Sequence, residues 1–166
     1  MRLFVAVRPP ADVVDAIDAL PRVTTPGVRW TTRDQWHVTL RFFGDIDDPA
    51  VVVDALTKAL HDTHAVAVTV GPVARVLNQR VIHLPVHGLD AIATSIANAT
   101  ADVGDPPPAR RFHGHLTLAR TKGEGVALDG LAVDRAWTVG DIELIRSHLH
   151  ADGARYKTLA RFALKG

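Results

Sequence analysis

Two short stretches, His37-Val38-Thr39-Leu40-Arg41 and His115-Leu116-Thr117-Leu118-Ala119-Arg120, decide how this chain of 166 residues is read. Both alternate polar and apolar residues, the period of a strand whose two faces meet different surroundings. In such a strand His37 and Thr39 point one way while Val38 and Leu40 point the other. His115 and Thr117 likewise oppose Leu116 and Leu118. Each stretch therefore offers an imidazole and a hydroxyl on one face, anchored by apolar packing on the other. Two such strands side by side would gather two histidines and two threonines around one cleft.

The repetition exceeds what composition supplies. With nine histidines in the chain, about 0.8 His-x-Thr triplets are expected at random. Three occur, at His37, His61 and His115. Requiring Leu after Thr lowers the expectation to about 0.07, yet two copies satisfy it. The His61 copy fails this test and lies in a polar connection between a helix and a strand.

Outward from these stretches the pattern alternates between strand and helix. Residues 2–7 read as a strand ended by Pro9-Pro10. Residues 11–20 carry Val13, Val14, Ile17 and Leu20 at helical spacing. Residues 28–32 and 37–43 read as strands. Asp48 and Pro49 suit the N-cap and first position of a helix reaching Leu60. Three strands follow, over 65–70, 74–77 and 80–86, with Asn78-Gln79 as a tight hairpin turn. Leu89, Ile92, Ile96, Ala99 and Val103 form the clearest amphipathic stripe in the chain. Strands are then expected over 113–120, 137–150 and 155–164, the last two joined by Asp152-Gly153. The order βαββαβββαβββ, rich in hairpins, predicts an α+β fold with largely antiparallel sheets, one domain over 1–166.

Composition narrows the chemistry. There is no cysteine, which excludes disulfides, thiolate nucleophiles and thiolate-based zinc or iron–sulfur sites. The net charge of +1 offers no broad basic field for holding duplex nucleic acid. No run approaches the length of a membrane span and no secretory leader is evident, so a cytoplasmic protein acting as a monomer is expected. Histidine is left as the reactive type near neutral pH. Two histidines in one cleft can take a proton from an attacking water and give one to a leaving oxygen across a single phosphorus. Threonine hydroxyls can steady the non-bridging oxygens, and no metal or other cofactor is required. The pairs His113/His115 and His148/His150 could bind a metal from one strand face, but no third ligand is evident. His113 shares the face of His115 and could tune it. His61, His64, His83 and His87 read as solvated or structural. Trp30 and Trp36 read as packing, and Trp137 as core.

The duplicated His-hydrophobic-Thr-Leu motif resembles that of the 2H phosphoesterase superfamily, specifically the bacterial and archaeal RNA 2′,3′-cyclic phosphodiesterases, also called 2′-5′ RNA ligases. The likeness extends to Arg2-Leu3-Phe4-Val5-Ala6-Val7, Arg29-Trp30, Phe42-Phe43-Gly44-Asp45, Arg111-Phe112-His113-Gly114, and the closing Ser147, Gly153 and Tyr156. It implies a bilobed fold with two pseudo-symmetric lobes around a central cleft. It implies metal-independent hydrolysis of a terminal 2′,3′-cyclic phosphate on RNA or a nucleoside to a 2′-phosphate, with ATP-independent 2′-5′ ligation as the reverse reaction. His37 then matches the proton donor and His115 the acceptor. Thr39 and Thr117 match phosphate-binding threonines, Arg120 a phosphate-contacting arginine, and Phe42 an aromatic that meets the base. Strict alternation places Arg41 on the face of His37 as a competing phosphate ligand. It places Phe42 and Arg120 on the opposite face, from which a strand bend at Gly44 or at Thr121-Lys122-Gly123 would bring them to the cleft. Other substrates within the superfamily (ADP-ribose cyclic phosphate, 2′-5′ oligoadenylate, RNA 3′ ends) and an RNA-end-binding module without turnover are the alternative readings.

Overall fold

The computed structural model describes residues 1–122 and 126–166. Among these residues ten strands and three α-helices follow one another as β1 (Arg2–Val7), α1 (Ala11–Asp18), β2 (Val28–Trp30), β3 (Val38–Asp45), α2 (Pro49–Leu60), β4 (Val66–Val70), β5 (Arg75–Leu77), β6 (Val81–His87), α3 (Asp90–Ala99), β7 (His115–Thr121), β8 (Arg135–Val139), β9 (Asp141–His150) and β10 (Gly153–Ala163). Among the described residues every pairing between these strands is antiparallel. No helix among them is long and apolar enough to cross a membrane.

The strand order is β10-β9-β1-β3-β7-β6-β4-β8, with β2 pairing β7 and β5 pairing β6. Read from its middle, this order is two four-stranded halves related by inversion. β3 and β7 meet at the centre, and β1 and β6 flank them. Among the described residues, β3 and β7 pair at one position, Val38 opposite Leu116. The two halves join at the two motifs.

Local sequence explains most elements. Asp48 caps α2 by accepting a hydrogen bond from the Ala50 N–H at 2.9 Å, with Pro49 in the first turn. Val52, Leu56 and Leu60 of α2 and Ile92, Ala93 and Ile96 of α3 are buried, and these two helices pack together on the β3 side of the sheet. Asn78 and Gln79 adopt positive φ (50° and 59°) at the centre of the turn between β5 and β6, which the Arg80 N–H closes by donating to the Leu77 carbonyl at 3.1 Å. The main core takes one face of both halves, with Leu3, Val5, Val38, Leu40, Ile82, Leu84, Leu116, Leu118 and Trp36 among its members. A second small apolar cluster of Phe4, Ala6 and Ile145, backed by Tyr156, lies on the opposite face of β1.

Two elements depart from expectation. The single strand read over 137–150 is two, broken at Gly140. β8 pairs with β4 in one half and β9 with β1 in the other, so the chain changes halves at this glycine. The amphipathic stripe over 89–103 also ends early as a helix, at Ala99. Val103 continues its apolar side in the turns that follow.

Candidate active site

The geometry of the site begins with two β-bulges. Along β3, Thr39 faces Ala6 and Arg41 faces Val5, so Leu40 is an extra residue with no partner on β1. Along β7, Thr117 faces His83 and Ala119 faces Ile82, so Leu118 is extra in the same way. A bulge adds one residue to one strand and reverses the alternation beyond it. The burial sequences match position by position. Val38, Leu40 and Arg41 are buried and Phe42 is exposed; Leu116, Leu118 and Ala119 are buried and Arg120 is exposed.

These bulges correct the strict-alternation reading. Arg41 turns into the interior, where it is 3% exposed. Its Nη2 donates to the carbonyls of Thr100, Val103 and Asp105 at 2.9, 2.8 and 2.9 Å, and its guanidinium lies over Phe43. There it ties down the turns that follow α3, holding the carbonyl of the C-cap residue Thr100 and two carbonyls beyond it. It is not in the cleft. Phe42 and Arg120 are the residues brought to the face of the histidines. The bulged leucines turn them, rather than Gly44 or the residues after Thr121; Gly123 lies outside the described residues.

Each histidine is held in the same way. The His37 Nδ1–H donates to the Gln35 carbonyl at 2.6 Å, and the His115 Nδ1–H donates to the His113 carbonyl at 2.9 Å. A carbonyl only accepts, so each bond selects the Nδ1–H tautomer and turns Nε2 away from the main chain. The Thr39 hydroxyl donates to His37 Nε2 at 3.0 Å. The antiparallel register that sets Val38 against Leu116, carried one residue each way, turns His37 toward Thr117 and His115 toward Thr39. The two imidazoles share the face of that seam, near enough that the charge His115 can carry disfavours a proton on His37. His113 supplies its backbone carbonyl, while its exposed ring is not among the groups packed on His115.

The walls around the two imidazoles differ. Phe4 and Tyr156 pack on His37, with ring centroids 4.9 and 5.1 Å away. This apolar surround pushes the His37 pKa down to about 4; nearby Arg8, His115 and Arg120 add to that, against the opposing Gln35 carbonyl bond. Arg8 is itself tied to Glu143 at 3.0 Å and to the Asp34 carbonyl at 2.9 Å. Glu143, 3% exposed, also accepts from Thr158 and pairs with Arg161. Burial pushes the Tyr156 phenol pKa up, while Arg120, Arg8 and Arg29 oppose this. On the other side His83 packs against His115, so it belongs to the cleft rather than to the solvated or merely structural histidines. Alternation along β6 puts it on the face of Thr117; the bulge opposite sets that register. Phe4 carried the same signal in the alternation of residues 2–7, and Tyr156 in the closing strand.

Two further features fix the strand that carries His115. The Thr31 hydroxyl donates to the carbonyls of Thr117 and Leu118 at 2.8 and 2.9 Å, the Thr31 N–H also donates to Leu118, and the buried Trp36 Nε1–H donates to Thr31. Carbonyls at the bulge are thereby satisfied. Gly114 packs flat on β6: the Val86 N–H donates to its carbonyl at 2.9 Å, and a Cβ there would stand 2.3 Å from the Val86 oxygen.

Comparison with known proteins agrees with this architecture. A curated protein of Aeropyrum pernix named RNA 2′,3′-cyclic phosphodiesterase is 29% identical over 143 residues, covering 76% of this chain and 80% of that protein. The crystal structure of TT0787 of Thermus thermophilus matches with a TM-score of 0.84 and 24% identity, covering 100% of this chain and 99% of that one. Escherichia coli LigT, in its complex with 3′-AMP, matches with a TM-score of 0.82 and 26% identity, covering 99% of this chain and 98% of that one. The family model of the 2′-5′ RNA ligase superfamily matches residues 9–151. With that match over most of its length and both motifs meeting where the two halves pair, the chain belongs to the 2′-5′ RNA ligase superfamily of 2H phosphoesterases.

Proposed function

We propose that the protein hydrolyses the terminal 2′,3′-cyclic phosphate of RNA or of a nucleoside to a 2′-phosphate, using two histidines and no metal. The observation that carries this reading is the matched pair of imidazoles, each with Nδ1 tied to the carbonyl two residues back and Nε2 free of the main chain. The relative named as an RNA 2′,3′-cyclic phosphodiesterase supports the same activity.

In this mechanism His115 Nε2 takes a proton from water as its oxygen attacks phosphorus. The bond from phosphorus to the ribose 3′ oxygen breaks, and His37 Nε2–H protonates that oxygen. The product keeps the phosphate on the 2′ oxygen. Thr39, Thr117 and Arg120 steady the charge that builds on the non-bridging oxygens, and Phe42 offers a ring to the base. His37 must carry a proton to act as donor, yet its apolar wall and nearby cations disfavour one in the free protein. The anionic phosphate supplies the missing counter-charge, so binding and protonation of His37 are coupled. Run in the same direction, with an RNA 5′ hydroxyl in place of water as the nucleophile, the same steps break the bond to the 3′ oxygen and join two ends through a 2′-5′ bond without ATP.

The test is incubation with 2′,3′-cyclic nucleotides and with an oligonucleotide bearing that end, in excess EDTA, with identification of the product phosphate. A 2′-phosphate is expected. Replacing His37 or His115 by Ala should each cost about 10²- to 10⁴-fold in kcat without unfolding the protein. Full turnover by the double variant, or turnover abolished by EDTA, would overturn the reading.

A further inference from the structure

His83 stands at the centre of the β6–β7 ladder, directly opposite Thr117. Along β6 it alternates with the buried Ile82 and Leu84 of the main core, which turns it to the cleft face. Its ring lies 5.5 Å from that of His115, edge to face at 74°. It is 9% exposed, and its Nδ1 is buried with no well-formed hydrogen bond among the described residues.

The restraints on the two motif histidines are unequal. His37 is fixed by the Gln35 carbonyl, the Thr39 hydroxyl, and the rings of Phe4 and Tyr156. His115 has the His113 carbonyl and the ring of His83. The carbonyl bond pins one edge of the imidazole but leaves it free to swing about that edge. A ring packed against it removes that freedom. The groups that face His83 are His115 from β7 and Arg75 from β5, its cross-strand neighbour. Burial, and then the charges that His115 and Arg75 can carry, oppose a proton on His83 and outweigh the pull of the Val81 main chain. His83 therefore meets His115 as an uncharged ring.

We propose that His83 is a positioning residue for His115, the wall that holds its imidazole with Nε2 aimed at the reacting phosphate. This rests on the two-histidine reading above. It makes His83 the counterpart, in the second half, of Phe4 and Tyr156 in the first.

The test compares His83→Ala, His83→Gln and His83→Phe in steady-state turnover of a 2′,3′-cyclic nucleotide, with folding checked by circular dichroism and thermal melting. A proton acceptor off its aim by about 1 Å loses on the order of 10²-fold in rate. His83→Ala and His83→Gln should therefore lose about 10- to 100-fold in kcat with KM within about twofold. His83→Phe, which restores a ring and no nitrogen, should recover kcat to within about threefold of the parent. Gln preserves bulk without a ring, so it answers the question if Ala fails to fold. The Hε1 resonance of His115 should broaden in the Gln variant and sharpen again in the Phe variant. The inference is overturned if Ala and Gln keep full kcat, if Phe loses as much as Gln, or if KM alone changes. His115→Ala is run beside them. Full activity there sinks the two-histidine reading itself, whereas loss there with no effect at His83 sinks only this inference.

Discussion

His37 faces two opposed demands. Its surround keeps it neutral in the free protein, while the donor role asks it to hold a proton once substrate arrives. In the unfolded chain it titrates near 6.5 and in the folded protein near 4. Between those values the unfolded state binds the extra proton, so stability falls as pH is lowered through this window. The cost is on the order of 2–3 kcal/mol by pH 4. Thermal melts at pH 7 and pH 4.5 should show a larger loss for the parent than for His37→Phe. An NMR titration of His37 should also show its pKa rising by at least one unit when a 2′-nucleotide is bound; an unchanged value would argue that His37 is not the donor. At Arg41 the expectation is opposite in kind. Arg41→Met should cost about 2–4 kcal/mol, because it strips the carbonyls at the end of α3 of their donor. Turnover by the folded fraction should be unaffected. A collapse of kcat with stability intact would return Arg41 to the site.

At the scale of the element, the bulge governs what the motif does. The histidine and threonine were legible from alternation alone because they precede the extra residue, which is the leucine itself. Alternation after it was inverted: Arg41 read as a ligand and is interior, while Phe42 and Arg120, read as needing a strand bend to reach the cleft, are exposed because of the bulge itself. Nothing local announces a bulge, because it depends on how the neighbouring strand registers, and that is settled by distant residues such as Ala6 and His83. The strand break at Gly140 escaped for the same reason: β8 and β9 differ in their partners rather than in their own pattern. The entry to β7 is more exacting than a loop need be. Gly114→Ala would drive a Cβ to 2.3 Å from a backbone oxygen of β6. It should cost about 1–3 kcal/mol and displace His115 with it. Loss of both melting temperature and kcat is the expected result, and a neutral effect on both would show that the β6–β7 spacing is not tight.

Taken as a whole, the molecule is two antiparallel half-sheets that share their central seam at Val38 and Leu116. The α+β class, the antiparallel pairing and the convergence of both motifs were readable in the sequence, since hairpin spacing and a repeated motif are local signals. The inverted arrangement of the halves was not, because strand order is a long-range property. A ligand that contacts Thr39 from one half and Thr117 from the other spans the seam and stabilises both. A 2′-nucleotide at about 100 times its Kd should add about 2.7 kcal/mol to stability. The shift should shrink sharply in Thr39→Val and in Thr117→Val alike. A loss confined to one of them would place the phosphate within a single half.

The mirrored bulges have one more consequence. As far as Phe42 and Arg120 the two strands enter, bulge and turn alike, and over that stretch they form a frame with no direction of its own. A ribose phosphate has a direction: a base on one side of phosphorus and water on the other. The frame must borrow that sense from the side chains hung at equivalent places, Phe42 against Arg120 and Ala6 against His83. Handedness of catalysis is then a property of those pairs and not of the backbone, so it could be rewritten by exchanging them while both halves of the sheet stay as they are.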